Sequence, residues 1–216
     1  MKIEYFGHSC FRLTSSAGVR LITDPYTRVG YELPCGISAD IITVTHAHFD
    51  HNYVDGISDF KEIWNIAGKQ AFGEVKANAI LCNHDEKGGM LRGKNLIFKI
   101  EMDGLVLCHL GDLGEKYSSA LEEQIGKTDV LFLPVGGTYT IDAVQAKEYV
   151  DALKPKLVIP MHYRPNDGTI DISSAEAFLK LCKDNVKATQ SKNELELSKE
   201  DLLDFATEII YMERKI

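Results

Sequence analysis

A short apolar segment followed at once by imidazole and carboxylate side chains is the feature that most constrains this fold. Residues 41–44 read Ile-Ile-Thr-Val, a β-branched run that predicts a buried strand. His46 and His48 follow two residues apart, so in an extended segment both imidazoles point to the same side. Asp50 and His51 come where the chain turns, and they can face a second point. All four side chains are donors for borderline-soft divalent cations, and the pattern predicts a dinuclear metal site.

Length and composition favour a single α/β domain. The chain has 216 residues, of which 44% are hydrophobic and 26% are charged, as in ordinary globular proteins. No Pro/Gly/Ser-rich linker or repeat interrupts it, so one domain over residues 1–216 is expected. No apolar run reaches the roughly 20 residues of a membrane span, and the first residues do not resemble a signal peptide. No membrane association is therefore expected.

Charge and cysteine content bear on partners and location. The formal net charge is −8 and the basic side chains form no stripe, which disfavours nucleic acid as a partner. The five cysteines are scattered and none lies in a C-x-x-C motif, so disulfides are not expected and a reducing, cytoplasmic location is favoured. A small-molecule substrate is the expected partner, and a homo-oligomer stays open.

The order of the predicted elements favours two β-sheets. Segments 95–101 and 105–109 flank Asp103-Gly104, a strong hairpin signal. Helices are predicted over 118–126, 142–153 and 173–183, beside buried strands at 130–133 and 157–159, and residues 194–216 are expected to add a strand and a last amphipathic or extended piece. Strands first, with helices between later strands, indicate a four-layer αββα sandwich of two mixed β-sheets flanked by helices.

Three further motifs extend the pattern at 46–51. They are Gly7-His8-Ser9-Cys10-Phe11 near the start, His109-Leu110-Gly111-Asp112 in the middle and Pro160-Met161-His162-Tyr163 late in the chain. Together with H-x-H-x-D-H after a buried strand, this set resembles the metallo-β-lactamase superfamily over nearly the whole chain, up to about residue 182. It is similar to the small bacterial and archaeal metal-dependent hydrolases near the ascorbate-6-phosphate lactonases, and the resemblance implies the same sandwich fold.

The resemblance also implies a ligand set for the first ion. His46 and His48 need a third neutral donor, and the residues alone leave His84 and His109 as candidates. In the superfamily the third histidine precedes a hairpin, and a bridging aspartate follows that hairpin in a Gly-Asp pair. This arrangement favours His84 as the third ligand and makes Asp112 the bridge between the two ions.

A second ion is expected on Asp50, His51 and His162, the last of which follows the predicted strand at 157–159. Zinc is the favoured metal for both positions, with manganese and iron as alternatives. Two such ions about 3.5–4 Å apart lower the pKa of a shared water toward about 7, which allows hydrolysis at neutral pH.

Other residues are expected around these ligands. Asp24 stands where the superfamily keeps a carboxylate that orients the metal loop, with a plain turn as the alternative. Asp50 is expected to orient the water, and His109 and Tyr163 to stabilise a developing oxyanion. Three positions stay open between the site and local structure: His8 (pocket or loop packing), Thr140 (helix cap or anion binding) and Arg164 (substrate contact or surface).

The predicted function is metal-assisted hydrolysis of a small anionic ester, lactone or related substrate. A phosphodiesterase or nuclease of the same fold is one alternative, and a dioxygenase with a single iron is another. A binding module with a decayed site is disfavoured, because seven candidate ligands are intact.

Overall fold

The computed structural model describes residues 1–185, 193–202 and 206–216. In these residues one sheet has six strands in the order β12-β1-β2-β3-β4-β5. Its strands are β1 (Lys2–Gly7), β2 (Cys10–Thr14), β3 (Arg20–Thr23), β4 (Ile41–Thr43), β5 (Glu62–Trp64) and β12 (Glu194–Glu196). The sheet is mixed, since β1, β2 and β12 pair antiparallel whereas β3, β4 and β5 run parallel.

The other sheet has seven strands in the order β13-β11-β10-β9-β8-β7-β6. Its strands are β6 (Gly68–Phe72), β7 (Val75–Asn83), β8 (Lys94–Met102), β9 (Leu105–His109), β10 (Val130–Pro134), β11 (Leu157–Met161) and β13 (Glu208–Ile209). Strands β8 and β9 form the predicted hairpin around Asp103-Gly104. This sheet is also mixed. Strands β9, β10, β11 and β13 are parallel to one another, whereas β6, β7, β8 and β9 pair antiparallel in sequence order.

Three α-helices follow the hairpin: α1 (Ser119–Ile125), α2 (Ala143–Leu153) and α3 (Glu176–Leu181). Helices α1 and α2 are the crossovers that parallel strands require, α1 between β9 and β10 and α2 between β10 and β11. Short 3-10 turns lie at Val54–Gly56 and Glu200–Leu202. The described helices do not include one with the length and hydropathy of a membrane crossing.

Two expectations about helix ends differ from the structure. The third helix begins at Glu176 rather than 173, because Ser173 donates its backbone N–H to Gly136 O and accepts from Arg164 N–H. The cap of α2 is Asp142, whose side chain accepts from Gln145 N–H in a full capping box. The predicted C-terminal segment is interrupted by residues 203–205, which lie outside the described residues.

The main core lies between the two sheets and joins residues of both. Phe11 of β2 packs against Phe132 of β10 with ring centroids 4.5 Å apart, and both side chains are fully buried. Alternation along the strands sends Leu21 and Ile41 to this core, whereas Ile22 and Ile42 point to the opposite face. The two mixed sheets and few helices confirm the predicted sandwich.

A loop covers the outer face of the first sheet. Tyr26, Val29 and Ile37 pack there against Ile22 and Ile42, and all five side chains are buried. Each buried aliphatic side chain contributes about 1.5–3 kcal/mol to folding. Within the described residues, this loop forms the layer over the outer face of the first sheet.

The parallel strands direct several loops to one edge of the molecule. Strands β3 and β4 of the first sheet end at Thr23 and Thr43, and β9 and β11 of the second sheet end at His109 and Met161. The carboxyl ends of parallel strands lie at the same edge of a sheet, and ligands of open α/β sheets bind at that edge. The segments that follow β4, β9 and β11 contain the candidate ligands other than His84, which follows β7.

Candidate metal centre

The loop after β4 is held by the buried carboxylate of Asp24. Its Oδ1 accepts from the backbone N–H of Thr45 at 2.8 Å, and its Oδ2 accepts from the Thr45 hydroxyl at 2.7 Å. The loop then turns, with His51 donating its N–H to His48 O. This turn separates the side chains of the loop into two groups.

One group consists of His46, His48 and His84. Their donor atoms lie within 4.8 Å of one another. His84 directly follows β7 and is buried, whereas His48 is exposed. The hairpin that starts at β7 therefore brings a distant imidazole to the two that follow β4.

A second group consists of His8, Asp50, His51 and His162. All four are buried, and their donor atoms again lie within 4.8 Å of one another. Asp50 follows β4, His162 follows β11 and His8 follows β1. Three segments that are far apart in sequence thus meet on this side of the loop.

Asp112 lies between the two groups and contacts four imidazoles. Its Oδ2 is 3.2 Å from Nε2 of His84 and 3.2 Å from Nε2 of His162. The same oxygen is 3.7 Å from Nε2 of His46, and Oδ1 is 3.1 Å from Nε2 of His51. One carboxylate therefore faces both groups, as a shared ligand must.

Asp24 also orients the ring of His51. Its Oδ2 lies 2.8 Å from Nδ1 of His51, and both side chains are fully buried. Burial alone would raise the pKa of Asp24, but the contact with His51 lowers it below its usual value, so the group is a carboxylate at neutral pH. Such an acceptor would hold the proton on Nδ1, so that a cation between His51 and Asp112 would meet the lone pair of Nε2.

The donor set fits divalent cations. Buried polar atoms without a hydrogen-bond partner among the described residues include Nε2 of His46, His51 and His162 and Oδ1 of Asp112. Buried polar atoms of this kind cost free energy unless they are paired, and these converge on one space. Burial also lowers the pKa of His46 to about 3, so its ring is the neutral form that binds metal.

Asn95 is a positioning residue that sequence reasoning missed. Its Oδ1 accepts from the N–H of Asp112 at 2.9 Å, and its Nδ2 donates to Leu110 O at 2.9 Å. The side chain is fully buried at the start of region 95–101, where only a strand was predicted. An asparagine at a strand end was the sole available signal, and it does not reveal a partner 17 residues away.

Two residues expected to be catalytic lie outside the cluster. Nε2 of His109 is 3.0 Å from Ser9 O, and its Nδ1 accepts from the N–H of Gly111, so the backbone occupies both nitrogens. The hydroxyl of Tyr163 donates to Met212 O at 3.3 Å and is buried. The structure therefore does not place either side chain where it could stabilise an oxyanion at the cluster.

A cavity of about 450 Å³ opens over the cluster. Phe49, Tyr139 and Ile170 contribute apolar surface to it, and Asp171 adds a carboxylate. The remaining lining residues are His48, Asp50, Asp112, His162 and Thr169. None of the segment 169–171 was predicted, because no motif marks it.

Thr140 and Arg164 do not line this cavity. The hydroxyl of Thr140 donates to Ile141 O at 3.2 Å, and the helix cap expected there is Asp142 instead. Arg164 is exposed.

Comparisons with known proteins identify the family of this chain. The family model described as the beta-lactamase superfamily domain matches residues 2–162. A UPF0173 metal-dependent hydrolase of Methanospirillum hungatei is 30% identical over 193 residues, which cover 77% of this chain and 84% of that protein. A UPF0173 protein of Pyrococcus abyssi is 30% identical over 207 residues, which cover 82% of this chain and 89% of that protein.

Solved structures extend the likeness. A candidate Zn-dependent hydrolase of the metallo-beta-lactamase superfamily from Thermotoga maritima has a TM-score of 0.76 and 31% identity. The match covers 98% of this chain and 100% of that one. Igni18, a metallo hydrolase from Ignicoccus hospitalis, has a TM-score of 0.68 at 21% identity, covers 100% and 96% of the two chains, and shows the fold alone. The expected likeness to ascorbate-6-phosphate lactonases stays a prediction. The family match over residues 2–162 and the relatives above show that the chain belongs to the metallo-β-lactamase superfamily and is a metal-dependent hydrolase.

Proposed function

We propose that this hydrolase works with two divalent cations, zinc by preference, and acts on a small ester or lactone that carries negative charge. The first ion is assigned to His46, His48 and His84. The second is assigned to Asp50, His51 and His162, and Asp112 is shared. The observation that carries this proposal is the contact of one carboxylate, Asp112, with imidazoles of both groups at 3.1–3.7 Å.

The ligand types support zinc more than magnesium or calcium. Imidazoles outnumber carboxylates in both groups, and imidazole suits zinc, copper, iron and nickel, whereas magnesium and calcium prefer oxygen. Manganese and iron are the alternatives that the metal test below separates.

The ions would supply Lewis acidity, which lowers the pKa of a water and polarises a carbonyl or phosphoryl oxygen. The protein supplies the positions of the donors. Asp24 keeps the proton of His51 on Nδ1, and Asn95 holds the backbone of Asp112 in place. Asp50 lines the cavity with a carboxylate that stays ionised, because its contact with His8 outweighs burial and lowers its pKa.

The cavity favours a small substrate with an anionic group near the reacting atom. Two divalent ions with Asp50 and Asp112 leave a net positive charge at the base of the cavity, which attracts anions. The walls from Phe49, Tyr139 and Ile170 suit an apolar or ring-shaped part of the substrate. A volume near 450 Å³ accommodates a metabolite rather than a polymer.

Two further proposals accompany this function. The common core between the sheets supports one domain over residues 1–216. All five cysteines are free and four of them are buried, which supports a reducing, cytoplasmic location.

Metal analysis and a substrate panel test the proposed function. Protein purified without added metal is analysed for zinc, manganese and iron, and is then assayed on lactone, phosphodiester, thioester and β-lactam substrates. Two zinc ions per chain and lactone or ester hydrolysis are expected, with His48→Ala losing one ion and most of the activity. Glu123→Ala, at an exposed position of α1, serves as the surface control and should behave as wild type.

One iron per chain, with oxygen uptake in the presence of a thiol, would instead favour a dioxygenase. Phosphodiester cleavage without lactone hydrolysis would replace the proposed substrate class. A His48→Ala protein with full metal content and full activity would overturn the site assignment.

A further inference from the structure

His8 occupies a backbone conformation that the surrounding residues hold in place. Its φ is +52°, in the left-handed region, where a non-glycine residue costs of order 1 kcal/mol. Its N–H donates to the hydroxyl of Tyr31 at 3.0 Å. Its carbonyl accepts from His162 N–H at 3.0 Å and from the Tyr5 hydroxyl at 3.2 Å. Three contacts therefore maintain a strained residue beside the candidate metal centre.

The strained backbone directs the imidazole of His8 into the second group of donors. The side chain is 2% exposed, and its ring centroid lies 4.4 Å from that of His162 and 5.2 Å from that of His51. Its Nε2 is 3.2 Å from Oδ2 of Asp50. Its donor atom thus joins those of Asp50, His51 and His162 within 4.8 Å.

The separation of His8 and Asp50 matches that of groups sharing an ion. With metal–ligand bonds of about 2.0–2.2 Å, two donors on one ion at angles of 90–109° lie roughly 2.8–3.6 Å apart. The contacts of Asp112 with His51, His84 and His162 are 3.1–3.2 Å, and the contact of His8 with Asp50 is 3.2 Å. The geometry of His8 is therefore that of the residues already assigned as ligands.

We propose that Nε2 of His8 is a fourth protein ligand of the ion on Asp50, His51 and His162. This inference rests on the two-ion site proposed above. It makes the two positions unequal. The ion beside His8 would have four buried donors besides Asp112, whereas the other ion would have three, of which His48 is exposed. Open coordination positions are characteristic of catalytic ions, so the ion with fewer protein donors, on the His48 side, is the one expected to receive the substrate oxygen.

The competing arrangement is a hydrogen bond in which Nε2–H of His8 donates to Asp50 and no metal bond forms. The two arrangements differ in a measurable way. A ligand contributes directly to the affinity of the second ion, whereas a hydrogen-bonding neighbour leaves that ion with all of its protein donors.

Cobalt titration separates the two arrangements without an enzymatic assay. Metal-free protein is titrated with Co²⁺, and the visible absorption bands of the ion and its stoichiometry are recorded. His8→Asn is the main variant, since asparagine tolerates positive φ better than most residues and removes the ring. Wild type is expected to bind two ions. His8→Asn is expected to bind the ion on His46, His48 and His84 as tightly as wild type. It should bind the ion on Asp50, His51 and His162 at least tenfold more weakly, with altered absorption bands for that ion.

Three companion variants make the result specific. His48→Ala should weaken the other ion and keep the one assigned to His8. Tyr31→Phe removes the hydroxyl that accepts from His8 N–H but keeps the ring, and should retain both ions. His8→Gly adopts φ +52° without strain and leaves a space that added imidazole can fill, so millimolar imidazole should restore the second ion.

Circular dichroism and melting of the metal-free variants show whether each one folds. If His8→Asn does not fold, the cobalt titration of His8→Gly replaces it. Two ions bound at wild-type affinity in a folded His8→Asn or His8→Gly protein overturn the assignment. If wild type binds a single ion, the two-ion proposal fails. The role of His8 is then tested on that single ion. Loss of the ion in His8→Asn supports His8 as a ligand, and retention of the ion overturns the assignment.

Discussion

Replacing Asp24 by asparagine tests whether a residue that touches no metal controls the centre. The carboxylate of Asp24 is fully buried and accepts three contacts at 2.7–2.8 Å, two from Thr45 and one from Nδ1 of His51. An amide has one acceptor oxygen and one donor nitrogen. The buried N–H of Thr45 can only donate, so the amide oxygen must take the place of Oδ1 and the NH2 group must face His51.

The consequence for His51 is a change of tautomer. An NH2 group facing Nδ1 requires that nitrogen to accept, so the ring proton moves to Nε2, the atom that faces Asp112 at 3.1 Å. A protonated Nε2 cannot bind a cation. Restoring the metal-binding tautomer places two donors against each other, at a cost similar to a hydrogen bond to a charged group, about 1.5–3 kcal/mol. This corresponds to a loss of roughly 10–100-fold in affinity for the second ion.

The assay is competition between the protein and a chromophoric chelator for zinc, carried out on metal-free Asp24→Asn and wild type. Asp40→Asn is the matched control, because Asp40 is also a buried aspartate that accepts from backbone and side-chain donors, but it precedes β4 at the end of the strand away from Thr45. Asp40→Asn should keep the affinity of both ions. An Asp24→Asn protein that binds the second ion within twofold of wild type would falsify the tautomer argument.

Four further outcomes are expected. Gly114→Ala should weaken the first ion and lower the free energy of unfolding by about 1–3 kcal/mol, since its Cβ would lie 2.4 Å from the backbone of His84; zinc competition and urea unfolding measure both effects. Burial alone would raise the pKa of Glu4, but hydrogen bonds from two cationic side chains lower it to about 2, so the carboxylate stabilises the fold fully above pH 4.5 and loses this contribution as the pH falls toward 2. Glu4→Gln should therefore unfold more easily than wild type at pH 7, by about 1 kcal/mol after solvent screening, and the difference in urea midpoints should shrink below pH 4.5. Arg214→Ala should lower the melting temperature by roughly 2–4 °C, because it removes a guanidinium 3.8 Å from the ring of Tyr31, worth about 1 kcal/mol, and Arg214→Lys should recover only part of the loss. Removal of metal with a chelator should lower the melting temperature of wild type, and restored zinc should reverse the change, as calorimetry can show.

The parts of the fold that sequence predicted well depend on neighbouring residues. The strand at 41–44 and the hairpin at Asp103-Gly104 are set by β-branched side chains and by a turn sequence, and both are present with nearly the expected bounds. Helix α1 has Ser118 as its cap and Gly126 directly after its last residue, as the pattern at 118–126 indicates. In each case the signal and the structure it predicts lie within a few residues.

The arrangement of side chains around the cluster depends on distances that sequence does not contain. Tyr163 follows His162 directly, but the chain turns at His162, whose φ is +49°, and His162 lines the cavity whereas Tyr163 packs near Met212. His109 ends β9 with its ring near Phe11, in the space between the sheets. Proximity in sequence to a ligand was therefore a poor guide to proximity in space.

The origin of the ligands on both sheets links metal binding to the stability of the fold. Strands of the first sheet precede His8, His46, His48, Asp50 and His51, and strands of the second precede His84, Asp112 and His162. Ions held between them would connect the two sheets at one edge. A cation that binds only the folded chain adds about 4 kcal/mol of stability at a thousand times its dissociation constant. A variant that loses an ion should then lose both activity and stability, so loss of activity alone cannot assign a residue to the reaction. Metal affinity measured on the folded protein is the observation that separates a ligand from a residue that only stabilises the packing of the sheets.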